Sequence, residues 1–177
     1  MDAEAFYRYL TQARRRLWTT LRALPEDALA RAVLPTDGAR CVKDLVAHIP
    51  VVEDGWFRLD LLGQPLVLET VHLETLGAEP TSADEYWHHE KEPLESLLAY
   101  WEAVESDTLR RWPELMEVVA SNRRIKVSED RTETISADEV IWHVMQHEVR
   151  HTAQIVQMIR LLGHQPPSLD LVFLTAR

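Results

Sequence analysis

Three histidines recur at four-residue steps near the C-terminal end of this chain, at His143, His147 and His151. A neutral imidazole nitrogen is a good donor to zinc, nickel and related ions, and two of them one helical turn apart can reach one ion. At roughly 100° per residue, successive members of the series are offset by only about 40°. The apolar residues around them are Val140, Val144, Ile155, Met158 and Leu162, which fall about 20° to 80° from His147 on the same wheel. His147 and His151 therefore lie in or beside the stripe that faces a core, with His143 on its edge. One core histidine is ordinarily a satisfied packing residue. Two in one stripe cost free energy unless they share a partner, and an ion that takes a lone pair from each supplies one.

A third ligand has to come from a facing helix. His48 meets that need, because Cys41, Leu45, Val52 and Leu59 fall within about 60° of it on a helical wheel. The expected set is His48, His147 and His151. His72 falls in a connection, His88 and His89 are adjacent and point apart, and His164 follows Gly163 outside the helix. Glu148 stands next to a ligand but about 100° round the helix. It is a candidate base or supporting partner, weighed against a solvated or salt-bridged surface glutamate. His143 is either a support for the ligands or a plain edge residue.

His147-Glu148-Val149-Arg150-His151 also spells the His-Glu-x-x-His pattern of zinc proteases. Its longer form needs glycine and histidine where this chain has Gln154 and Gln157, and no glutamate follows Glu148 to serve as the downstream ligand. His164 would lie roughly 20 Å further along a continuous helix. A protease is not the expectation.

Four helices must position these residues. Phe6, Leu10, Ala13, Leu17 and Leu21 give the first a helical period from about residue 3 to 24, before Pro25. The second should run from Val42 to Leu62, stopping at Gly63, with a kink at Pro50 where a backbone bond to Val46 is lost. A long crossover over residues 64–80 follows. Ser82 with Glu85, and Ser136 with Glu139, form capping boxes that open the third helix, Ala83 to about Arg111 or split at Pro93, and the fourth, Ala137 to Leu162. Between them, residues 124–127 and 131–135 alternate apolar or β-branched residues with charges, as a small exposed hairpin would. The fold class expected is all-α, a four-helix bundle forming one domain over residues 1–177.

The net charge of −10, with 29 acidic against 19 basic residues, argues against nucleic acid as a partner. Local basic runs such as Arg14-Arg15-Arg16 and Arg123-Arg124 read as solvated helix faces and loop ends. A single cysteine, Cys41, excludes an internal disulfide and fits a reducing compartment. The acidic N-terminus lacks a signal-peptide core, and no run is long enough to span a membrane. A cytoplasmic protein is expected, with neither membrane nor nucleic acid among its partners.

Leu45-Val46-Ala47-His48, the stretch from Trp142 to Ile155, Arg160-Leu161-Leu162-Gly163 and Pro166 to Asp170 resemble the DinB/YfiT-like family of metal-dependent proteins. The resemblance implies an up-down-down-up bundle, often a homodimer, holding nickel or zinc through the three histidines that helical geometry selects. It also implies a low-molecular-weight thiol as a second cofactor, since some relatives are thiol S-transferases or isomerases. Where relatives carry Arg-Gly-Gln after the last histidine, this chain has Thr152-Ala153-Gln154. The functional expectation is a divalent-metal enzyme, an S-transferase or related hydrolase or isomerase, acting on a small-molecule substrate. The alternative is a non-catalytic stress-response protein whose ion is structural or sensed.

Overall fold

The computed structural model describes residues 2–34, 38–70, 88–126 and 132–174. Helix α1 (Ala3–Arg22) begins at Asp2, whose carboxylate accepts from the Ala5 amide at 2.8 Å. The short α2 (Glu26–Leu29) starts behind Pro25. Helix α3 (Val42–Glu53) passes through Pro50 without a break and continues as a π-helical stretch, Asp54–Leu61. A 3₁₀ turn (Val67–Thr70) follows, and the Asp54 carboxylate accepts from its Val67 and Leu68 amides, each at 3.0 Å. Helix α4 (Leu94–Ala120), strands β1 (Arg124–Lys126) and β2 (Thr134–Ser136), helix α5 (Ala137–Leu161) and the short α6 (Leu171–Leu174) complete the order.

The first, second and fourth long helices lie close to where their periodicity put them. The third does not. Residues 88–93 are not helical, and α4 starts only after Pro93, whose carbonyl takes the Ser96 amide at 3.1 Å. Proline fits the entry to a helix, where no amide is needed, better than its interior. The helix then runs past Arg111 to Ala120 with Pro113 inside. Burial of Trp112 and Leu115 outweighs the single backbone bond that Pro113 removes. The Ser82–Glu85 box and His72 fall outside the described residues. The Ser136–Glu139 box forms: Glu139 N donates to Ser136 Oγ at 3.2 Å, and Ser136 N to Glu139 Oε2 at 2.7 Å. The expected hairpin is present as an antiparallel pair with Ile125 opposite Ile135.

Side-chain pairings set the helix directions. Arg14 meets Glu105 and Arg22 meets Glu95, so α1 and α4 run antiparallel. Phe6 packs on Trp142 and Arg14 pairs with Glu148, so α1 and α5 run parallel. Lys43 donates to the Glu92 carbonyl and Tyr100 to Asp54, so α3 and α4 are parallel and a crossover must join them. The bundle is up-down-down-up. No helix among the described residues is long and apolar enough to cross a membrane.

The core has two main parts and a smaller third around Tyr100 and Val104. One contains Leu17, Leu21, Val42, Leu45, Ile49, Leu97, Trp101, Ile155 and Ile159. The other contains Tyr7, Leu10, Phe57, Leu61, Trp112, Leu115, Val140, Val144 and Met145. Between them, at the level of Arg14, Glu53, Glu105 and Glu148, lies a buried charged layer. The histidines sit at this level on the seam between α3 and α5.

Candidate metal centre

Local structure fixes the two helices that carry the histidines. The N-terminus of α3 is held by Asp44, which accepts from the Arg40, Cys41 and His89 amides at 2.8, 3.0 and 2.8 Å. Cys41 is a buried N-cap residue, and burial pushes its thiol up to about 12. Leu45 and Ile49 bury the face of α3 on either side of His48. On α5, Val144 and Ile155 anchor the stripe that bears His147 and His151.

His48, His147 and His151 converge, each offering one ring nitrogen, with all three atoms within 4.8 Å of one another. The Nε2 atoms of His48 and His147 are 2.9 Å apart. Ring centroids are separated by 4.8 Å for His48–His147, 4.9 Å for His48–His151 and 4.2 Å for His147–His151. Zinc–nitrogen bonds of about 2.0–2.1 Å place tetrahedral donors roughly 3.3 Å apart, so side-chain shifts within one rotamer well bring this set onto an ion. Among the described residues the group contains no carboxylate or thiol.

The donor chemistry fits a metal in a second respect. Burial first, then the neighbouring rings and Arg150, push His48 and His147 down to about 3. Both rings are therefore neutral near pH 7, the form that coordinates. His151 Nδ1 donates to Gln154 Oε1 at 2.5 Å, which presents the Nε2 lone pair as the acceptor. That lone pair faces Arg150 Nη2 at 3.4 Å. His147 is buried, while His48 and His151 are partly exposed, so the cluster is reached from solvent along their side.

Two of the neighbours, Glu148 and Arg14, sort differently from the sequence reading. His143 is largely exposed and stands against Trp56 (ring centroids 5.8 Å) and His147 (6.1 Å), with partial desolvation of the ring and then Arg150 lowering its pKa. Glu148 is not a surface glutamate. It is 3% exposed and accepts from Arg14 Nε at 2.7 Å and Nη2 at 2.6 Å, on the side of α5 that faces α1. The solvated reading of Arg14-Arg15-Arg16 is corrected at its first member: Arg14 is 1% exposed. The helical spacing held the signal, since Arg14 follows Tyr7 by two turns and precedes Leu17 by three residues. His88 and His164 are not in the cluster; His89 is buried and close enough for its charge to act on His48.

Fold and site together define a helical bundle with a three-histidine group able to hold a metal ion. The DinB family model matches residues 1–176, and the chain belongs to that family. No curated protein matches the sequence closely enough to lend it a specific activity.

Proposed function

We propose that this chain is a metal-dependent enzyme that activates a low-molecular-weight thiol for transfer to a small electrophilic substrate, with His48, His147 and His151 holding a nickel or zinc ion. The observation that carries the reading is a trio of imidazoles within 4.8 Å of one another, with His48 and His147 held neutral by burial and His151 partly exposed. Three protein donors leave coordination positions for exchangeable ligands, the feature that separates catalytic from closed structural sites. When bound, a divalent ion lowers the pKa of a coordinated thiol and so supplies a nucleophile at neutral pH.

The chain's own residues bind and orient. Gln154 holds the His151 ring in the tautomer that leaves Nε2 unprotonated. Arg150 brings a cation to the edge of the cluster, which favours an anionic or thiol-bearing small molecule there. Arg150 precedes His151 and supplies charge where Thr152, after it, does not. Trp56 and His143 form an aromatic wall beside the ligands. Glu148 is committed to Arg14 and is not the base.

The test is to incubate metal-loaded and metal-free protein with several bacterial thiols and a panel of electrophiles, following thiol consumption. Metal-dependent consumption is expected. Equal rates with and without metal, together with no effect of any thiol on the metal's spectrum, would leave a binding or sensing role instead.

A further inference from the structure

We infer that Arg14 is a positioning residue for the three-histidine centre: its guanidinium sets the register of α3 against α5 and thereby the approach of His48 to His147. The inference rests on the metal-binding reading above. Arg14 uses its whole fork. Nε and Nη2 grip the two oxygens of Glu148 on α5, at 2.7 and 2.6 Å. Nη2 also donates to Glu53 Oε2 at the end of α3, at 2.8 Å. Nη1 donates to Tyr7 Oη and to Glu105 Oε2 on α4, both at 3.1 Å. All five N–H groups are thus engaged, at a residue 1% exposed.

The carboxylates are equally committed. Glu53 Oε1 accepts from Tyr7 and from Thr108 Oγ1, and Glu105 Oε1 accepts from Arg15. Apolar packing above and below this layer specifies register less strictly, because cores that are repacked lose uniqueness before they lose stability. A planar five-donor fork is not tolerant, and an axial slip of α5 against α3 would leave a buried carboxylate without its cation. Glu148 is the residue after His147, and Glu53 lies five after His48 on the same continuous helix. Register fixed at the carboxylates is therefore register fixed at the ligands. The other face of α5 carries the chemistry; this face sets where it stands.

The experiment compares wild type, Arg14→Lys and Val104→Ala, a core truncation on α4 beside the layer that removes none of the partners of the Arg14 fork. Cobalt(II) is the probe, read by its d–d absorption and by competition against a chelator, alongside Tm. Arg14→Lys keeps the charge and loses the fork. It should bind cobalt roughly tenfold more weakly or worse, the range seen when groups behind metal ligands are removed, with a shifted spectrum. Val104→Ala should lose Tm and keep affinity and spectrum. If Arg14→Lys does not fold, Glu53→Gln, which loosens only the α3 arm, is read in the same way. A folded Arg14→Lys or Glu53→Gln protein with wild-type affinity and spectrum overturns this inference alone. Wild-type protein that takes up no cobalt overturns the metal reading, and this inference with it.

Discussion

His147 and Glu148 are adjacent in sequence and leave α5 for different neighbours. The imidazole comes within 2.9 Å of His48 on α3, and the carboxylate closes on Arg14 of α1 at 2.6 Å. The roughly 100° between consecutive helical residues makes this division of labour automatic. A His-Glu pair at this spacing sends one side chain to the three-histidine group and the other to Arg14, so the zinc-protease pattern here spans two different contacts of α5.

The first prediction concerns the ligand set. His48→Ala, His147→Ala and His151→Ala should each lose stoichiometric nickel or zinc, measured by elemental analysis after purification without a tag. His88→Ala should keep it. Full occupancy in the His147→Ala protein would remove the assignment, because that ring has the shortest separations from the other two, 4.8 and 4.2 Å.

Gln154 should matter through His151 alone. Its Oε1 receives the Nδ1 proton at 2.5 Å, and replacing it with leucine lets the ring turn and change tautomer. Affinity should drop by about 10- to 100-fold, as for other groups that orient a metal-bound histidine. Metal-free Tm should change little, since the side chain is only partly buried. Wild-type affinity in Gln154→Leu would show that packing alone holds the ring.

How far the sequence carried these conclusions can be seen residue by residue. His48, His147 and His151 were legible because a stripe of known period locates a side chain on a face, and titratable rings on a buried face demand a partner. Arg14 was not. Its burial depends on Glu53, Glu105 and Glu148 arriving from three other helices, and a charge triplet in isolation reads as solvated. Glu148 was misplaced for a related reason: α5 packs on α3 and also on α1, and one stripe describes only the first contact. The start of α4 was missed because Pro93 can either split a helix or open one, and the choice is made by packing around Leu94 and Leu97.

The metal-free protein should lose stability on mild acidification. His48 and His147 titrate near 3 when folded, against about 6.5 in an unfolded chain. Between those values the unfolded chain binds protons that the folded one does not, so folding weakens as pH falls from about 6.5 toward 3 and is unaffected above that window. Urea midpoints from pH 7.5 to 4 should decline in wild type. The decline should be shallower in the His48→Gln, His147→Gln double variant, which retains the acidic layer. Parallel curves would show that the carboxylates, not these rings, govern the acid limb.

The final prediction separates the proposed thiol chemistry from the protein's own thiol. Cys41 is 2% exposed at the N-cap of α3, and burial together with the Asp44 carboxylate pushes it up to about 12. At neutral pH it is a thiol with almost no thiolate, and the thiolate is the nucleophile. It also lies seven residues before His48 on the same helix, roughly 10 Å along the axis, too far to share an ion with that ring. Cys41 should therefore react with a disulfide reagent only after unfolding, while native protein stays unlabelled over the same interval. In the thiol-consumption assay Cys41→Ser should turn over at the wild-type rate, whereas His48→Ala should fall to the metal-free rate. Rapid labelling of native Cys41, or loss of turnover in Cys41→Ser with metal still bound, would move the nucleophile from an external thiol to the protein itself.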